Sequence, residues 1–184
     1  DKNFFSHKGF DIKGILRATL KNTLNFFTNK RPDGASTITQ QVAKNVLLSN
    51  ELTYSRKIKE IILSVRIERS LSKEKIIELY LNEIYLGNRS YGVTSASINY
   101  FSKPLYELNI AEMSLLAALP KAPSTYNPFR SPNKALKRRN WVITRLFNEN
   151  FISQREYENS LNMPLDLKKK KGVFTKKASF FKEA

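Results

Sequence analysis

Apolar residues along this chain recur three and four apart, and no stretch sustains the two-residue alternation of a strand. The pattern predicts an all-α, or mainly α, fold. Behind Asp11, a helix-capping residue, Ile12, Ile15, Leu16, Leu20, Leu24 and Phe27 fall on one stripe of a helix running to about Thr28, with Lys13, Arg17 and Lys21 on its polar side. Packing into a core is the ordinary outcome for such a stripe; lying in a membrane interface is the sharper alternative. Asn29 to Ala35 reads as a turn-rich loop around Pro32 and Asp33-Gly34. Thr37 with Gln40 has the spacing of a capping box and predicts a helix to about Leu48. After a spacer over 50–54, a helix over Ser55–Leu71 should bury Ile58, Ile61, Ile62 and Val65. Ser72 caps a further helix, KEKIIELYLNEIYL, stopped by Gly87, with Ile76, Ile77, Tyr80, Leu81 and Ile84 as its core side.

Beyond Gly87 the elements shorten. A helix of small residues is predicted over Tyr91–Phe101, and one opened by Asn109 and Glu112 and ended by Pro120. A proline-rich loop follows over 120–132. Ser131 and Pro132 open a long helix to about Glu149 whose first half, KALKRR, is strongly basic. Ser153 with Glu156 forms another capping box. After Pro164 the composition shifts to a run of lysines, Lys168 to Lys171. The expected organisation is one domain over 1–165 and a basic tail or linker over 166–184, with the tail either solvated or touching anionic lipid.

Charge changes the picture more than size does. The 184 residues carry 32 basic and 16 acidic side chains, a net +16. Such a surplus implies a polyanionic partner: nucleic acid, an anionic membrane surface or a phosphorylated substrate. There is no cysteine, which excludes zinc fingers and disulfide scaffolds. No apolar run approaches the roughly 20 residues that span a bilayer. The chain opens at Asp1 inside what reads as an ordered motif, so a missing N-terminal part is expected.

Several chemistries lack their residues. There is no GxGxxG and no P-loop. The four aspartates (1, 11, 33 and 166) form no Asp-x-Asp, which leaves a metal-held diphosphate poorly supported. The single histidine, His7, reads as structural. Ser-x-x-Lys tetrads at Ser70–Lys73 and Ser131–Lys134 lack the companion motifs of a serine acyltransferase and read as chance. What remains lies between Gly34 and Glu68. Arg56, Lys57 and Lys59 oppose the dipole at a helix start, where free N–H groups and cations favour a bound anion. One acid, Glu60, stands among them, with Ser36, Gln41, Lys44 and Asn45 on the preceding helix and its lead-in. Cations there can neutralise a departing phosphate, and a carboxylate can orient or move a proton. Sugar chemistry usually wants two carboxylates, and only one is obvious.

These residues carry a resemblance. Asp1, Phe4, His7 and Gly9, then GASTITQQVAKN (Gly34–Asn45), RKIKE (Arg56–Glu60) with Glu68, KIIELYLNEIYLG (Lys75–Gly87) and LPKAPSTYNP (Leu119–Pro128) match, in order, the motifs of a known family. The chain resembles the peptidoglycan glycosyltransferase domain (glycosyltransferase family 51) of class A penicillin-binding proteins and monofunctional transglycosylases. The resemblance implies a lysozyme-like helical fold with a membrane-facing hydrophobic subdomain. It implies polymerisation of lipid II into glycan strands on the outer face of the cytoplasmic membrane, and the family's sensitivity to moenomycin. Lipid diphosphate would leave and the 4-hydroxyl of the incoming lipid II would accept. The family's general base would sit just before Asp1, so the chain as it stands would be inactive. Asp1 and Glu60 match the family's catalytic motifs. Lys44, Arg56 and Lys57 match residues that hold the diphosphate, and Ser36, Gln41 and Asn45 match residues lining the cleft. No metal ligand and no required cofactor is implied, although a divalent cation (Mg or Mn) at the diphosphate helps some members. The implied partners are lipid II, the growing glycan strand, the membrane surface and a transpeptidase domain or partner, not nucleic acid. Many relatives carry a basic residue where this chain has Leu52. Two other classes stay open on the residues alone: a basic helical nucleic-acid-binding module, and a lysozyme-like glycan hydrolase.

Overall fold

Helix caps set most of the boundaries. In the computed structural model, which describes residues 1–27, 34–47 and 53–168, contacts divide the chain into two units, Asp1–Ile84 and Tyr85–Ala184. Among the described residues there are eight α-helices and no strand beyond one isolated bridge, Tyr85 to Tyr91. No helix there is long and apolar enough to cross a membrane.

The first unit begins with an irregular segment over 1–11, followed by α1 (Ile12–Phe27), α2 (Ile38–Leu47), α3 (Tyr54–Ser70) and α4 (Lys73–Glu83). The capping box forms as its spacing demands: Thr37 N–H donates to Gln40 Oε1 at 3.0 Å, and Gln40 N–H to Thr37 Oγ1 at 3.1 Å. Thr53 caps α3 through Arg56 N–H at 3.1 Å, and Ser72 caps α4. Helix α2 packs on both α3 and α4. Phe4, Val42 and Ile76 form the buried cluster between them, with Ile38, Ile67, Ile77, Leu79 and Tyr80 against it.

Three apolar expectations are corrected here. On α1 the stripe faces out: Leu16, Leu20 and Leu24 are 62%, 63% and 68% exposed. Among the α1 residues whose burial is described, Gly14 and Ala18 are the buried ones. On α3 the covered residues are Glu60 and Ser64, while Ile58 and Ile62 remain 59% and 48% exposed. The reason is steric. Gly9, at φ +98°, lies so close to α3 that a Cβ on it would stand 2.9 Å from the Ser64 backbone. That approach, open only to glycine, decides which side of α3 is inside. On α4 the helix stops at Glu83 and Leu81 stays exposed, while Ile76 and Ile84 are buried and Ile77 and Tyr80 pack against the cluster as expected. The loop over 28–33, Leu52, and the tail from Lys169 onward lie outside the described residues.

The second unit holds α5 (Val93–Phe101), α6 (Ile110–Ala118), α7 (Pro132–Asn148) and α8 (Gln154–Asn162), with 3-10 turns at Leu105–Glu107 and Leu119–Lys121. Pro120 sits inside the second of these turns, which extends α6 before the chain leaves it. Capping boxes at Asn109–Glu112 and Ser153–Glu156 both form. Tyr100, Phe101, Leu115, Leu119 and Ile143 fill the interior. The buried Tyr100 hydroxyl donates to the Leu86 carbonyl, and burial pushes its pKa up to about 12. The basic half of α7 is not uniformly surface. Arg139 is fully buried and donates to the Met163 carbonyl at 2.7 Å and the Leu161 carbonyl at 3.2 Å, closing the end of α8. Arg138, also on α7 and half-buried, stacks 3.9 Å over the Trp141 ring.

Candidate active site

Helix α3 enters with its cations already committed. Thr53 fixes the first turn, which brings Arg56 and Lys57 round to Glu60 one turn on. Arg56 Nη1 donates to Glu60 Oε2 at 3.0 Å, and Lys57 Nζ to Glu60 Oε1. Glu60 is only 2% exposed, so the pair of cations covers it. Lys57 Nζ also donates to Ser36 Oγ at 2.8 Å, which ties the start of α3 to the lead-in of α2. Ser36, Arg56, Lys57 and Glu60 are therefore one bonded constellation. Its surface is Lys57, whose side chain is about half exposed, with the Arg56 guanidinium beneath it and its Nε buried without a partner. Two positive groups around one carboxylate leave a net positive charge beside the free N–H groups of a helix start, an arrangement suited to an anion with several oxygens.

Asp1 joins this neighbourhood from the chain's other end. Its Oδ2 accepts from the Ile38 N–H at 2.8 Å, capping α2 two residues past Ser36, and takes the His7 Nε2 at 3.1 Å. Because His7 Nδ1 accepts from the Gly9 N–H at 3.2 Å, the ring proton sits on Nε2, pointing at Asp1. Burial, and after it the nearby Lys73 ammonium, hold the His7 pKa below its ordinary value. Gln41, Lys44 and Asn45 stand at helical spacing on α2, partly or wholly exposed, outside the bonded set.

Four residues of this region escape a reading by motif chemistry. Thr39 donates to Glu68 Oε1 at 2.6 Å, Lys73 donates to the same oxygen at 2.7 Å, and Lys73 also reaches the His7 carbonyl at 2.6 Å. Of the Ser70–Lys73 tetrad, the lysine is thus drawn into the region through its own contacts. The only signal available was that Glu68, His7 and Thr39 all lie within motif stretches. No group of three or more carboxylates, histidines or cysteines able to hold a metal occurs among the described residues. The donor set of the constellation does not fit a resident divalent cation either, since its one carboxylate is taken by Arg56 and Lys57.

The profile of the family described as transglycosylase matches residues 1–147. The chain belongs to the transglycosylase family. This transglycosylase domain is 50% identical to penicillin-binding protein 1A of Aquifex aeolicus over 169 residues, which is 92% of this chain and 23% of that protein. It is 46% identical to penicillin-binding protein 1A of Pseudomonas aeruginosa over 166 residues, 90% of this chain and 20% of that protein. Among solved structures it is similar to penicillin-binding protein 1A from Haemophilus influenzae, with 48% identity and a TM-score of 0.52 over 53% of this chain and 14% of that one. The transglycosylase domain thus spans about a fifth to a quarter of the length of the curated relatives it matches. Membership of the transglycosylase family leaves the nucleic-acid module and the glycan hydrolase without support.

Proposed function

We propose that this transglycosylase domain polymerises lipid II into glycan strands. The 4-hydroxyl of an incoming lipid II attacks the anomeric carbon of the growing strand. The bond from that carbon to the diphosphate oxygen breaks, the lipid diphosphate departs with the electron pair, and the hydroxyl proton passes to a base. The observation that carries the reading is the bridge made by Lys57 between Ser36 and Glu60, with Arg56 on the second carboxylate oxygen. Glu60 is a positioning group here: it fixes Arg56 and Lys57 so that their remaining N–H donors meet the departing diphosphate without reorganising. Lys44 adds charge from α2, and Ser36, Gln41 and Asn45 supply hydrogen bonds to the sugar-phosphate. Asp1, held at the start of α2, sets the place of the residue before it, where the resemblance puts the general base.

The exposed stripe of α1 supports a second part of the proposal. Ile12, Leu16, Leu20 and Leu24 lie outward beside Lys13, Arg17 and Lys21, the distribution of a helix lying in a lipid interface. The domain would work against the outer face of the cytoplasmic membrane, where its lipid-linked substrate is embedded. The parent protein, like the relatives, would carry a penicillin-binding transpeptidase part outside this domain.

The test is Glu60→Gln in the full-length parent, which keeps shape and removes the charge that orders both cations. Lipid II turnover should fall at least about a hundredfold with helix content unchanged. Turnover like that of the parent would end the assignment.

A further inference from the structure

Lys73, the first residue of α4, has its side chain turned back toward the start of the chain. Its Nζ donates to the His7 carbonyl at 2.6 Å and to Glu68 Oε1 at 2.7 Å, and it lies 4.6 Å from the centre of the Phe4 ring. Glu68 on α3 also takes the Thr39 hydroxyl of α2. One ammonium therefore links three helices to the 1–11 segment. That segment is held near both ends, by the Ile38 N–H on Asp1 and by the Thr37 hydroxyl on the Gly9 carbonyl at 2.7 Å. Between those ties the Lys73 contact holds the backbone of the residue whose ring orients Asp1.

We propose that Lys73 is a positioning residue of the transglycosylase site: by pinning the His7 carbonyl to Glu68, it sets where the His7 ring, and through it the Asp1 carboxylate, stands at the start of α2. Only the consequence for turnover rests on the lipid II reading; the consequence for the segment is independent of it. A lysine serves because a carbonyl, a carboxylate and an aromatic face, all largely covered, must be met by one flexible donor with full charge. Around His7 the charged groups are Asp1 and Asp11 on its own segment, Glu68 from α3 and Lys73 from α4. The carboxylates favour the protonated ring; burial, and after it Lys73, oppose it. Protonation would cost the Gly9 N–H its acceptor on Nδ1 and loosen the glycine that lies against Ser64.

The experiment uses the full-length parent with Lys73→Met, which keeps length and the Phe4 contact, and Lys73→Arg, which restores charge and reach. Amide hydrogen exchange at Ile38 should quicken at least about tenfold in Lys73→Met, with the rest of α2 and α3 unchanged. kcat should fall about ten- to a hundredfold at little-changed KM, and the acid limb of kcat/KM should move to higher pH. Lys73→Arg should recover the Ile38 protection and most of kcat. Unchanged Ile38 exchange together with an unmoved acid limb in Lys73→Met overturns the proposal. So does a loss of activity that only follows a lowered Tm, with exchange raised evenly through the unit. Should Lys73→Met fail to fold, Glu68→Gln replaces it, with a smaller rise at Ile38 expected and no rise overturning the proposal. A parent that turns over no lipid II overturns the function proposed above, while Ile38 exchange still decides the role of Lys73.

Discussion

In the unit that ends at Ile84 the fully covered positions include Thr37, Thr39, Gln40, Glu60 and Ser64, while leucines of α1 and isoleucines of α3 face outward. In the unit that begins at Tyr85 they include Tyr100, Phe101, Leu115, Leu119 and Ile143. The second unit's covered polar groups, such as Glu112 and Asn127, serve helix caps and turns, and its buried Arg139 is satisfied by carbonyls. The first unit therefore sets a covered carboxylate and its hydroxyl and amide neighbours beside a small apolar cluster, and leaves the apolar stripes of α1 and α3 unburied. The second has the larger apolar interior, with Glu112 and Arg139 covered inside it and fully paired. The difference sets the unit that carries the proposed site apart from the unit with the larger apolar core.

The largest effect is expected in the second unit. Arg139→Ala should cost about 3–5 kcal/mol by denaturant unfolding, because it opens a void and leaves the carbonyls of Leu161 and Met163 without donors. In the first unit Gly9→Ala should cost about 2–4 kcal/mol in the same assay, since its Cβ meets backbone rather than a movable side chain. It should also lower turnover per folded molecule, which Arg139→Ala should not.

A pH series sharpens the contrast further. His7 has a folded pKa below its ordinary 6.5, through burial and then Lys73. The unfolded chain therefore binds the proton more readily, so this contribution is whole above 6.5 and fades as pH falls through that value toward the folded pKa. Unfolding free energy measured from neutral to mildly acidic pH should decline accordingly, and His7→Gln should flatten that slope. The smallest expected effect on stability is the most telling for the lipid. Leu16→Asp and Leu20→Asp should each change unfolding by no more than about 0.5 kcal/mol, as exposed positions do. Flotation with anionic vesicles should nevertheless drop sharply.

Local chemistry was readable from the sequence wherever it stayed local. The capping pairs Thr37–Gln40, Asn109–Glu112 and Ser153–Glu156 all form, because both partners of a capping box lie within one turn. The Arg56–Lys57–Glu60 cluster was equally legible, being a matter of helical spacing. Periodicity identified the Ile58–Ile62 stripe of α3 but could not say which way it pointed; the contact of Gly9 with Ser64 decided that, over a separation of more than fifty residues. Lys73 and Arg139 were missed for a related reason. A charged residue in a basic run reads as solvated by default, and only the fold reveals that one reaches the His7 carbonyl and the other closes α8.

The inward polar face of α3 carries a warning for engineering. A screen that selects heat-tolerant variants will favour replacing a covered carboxylate and its hydroxyl neighbours by well-packed hydrocarbon, since a buried ion pair is often no more stabilising than its apolar substitute. The hardiest descendants of this chain would then be those that had lost Glu60 or Thr39. Directed evolution of the domain should score turnover and melting together from the first round.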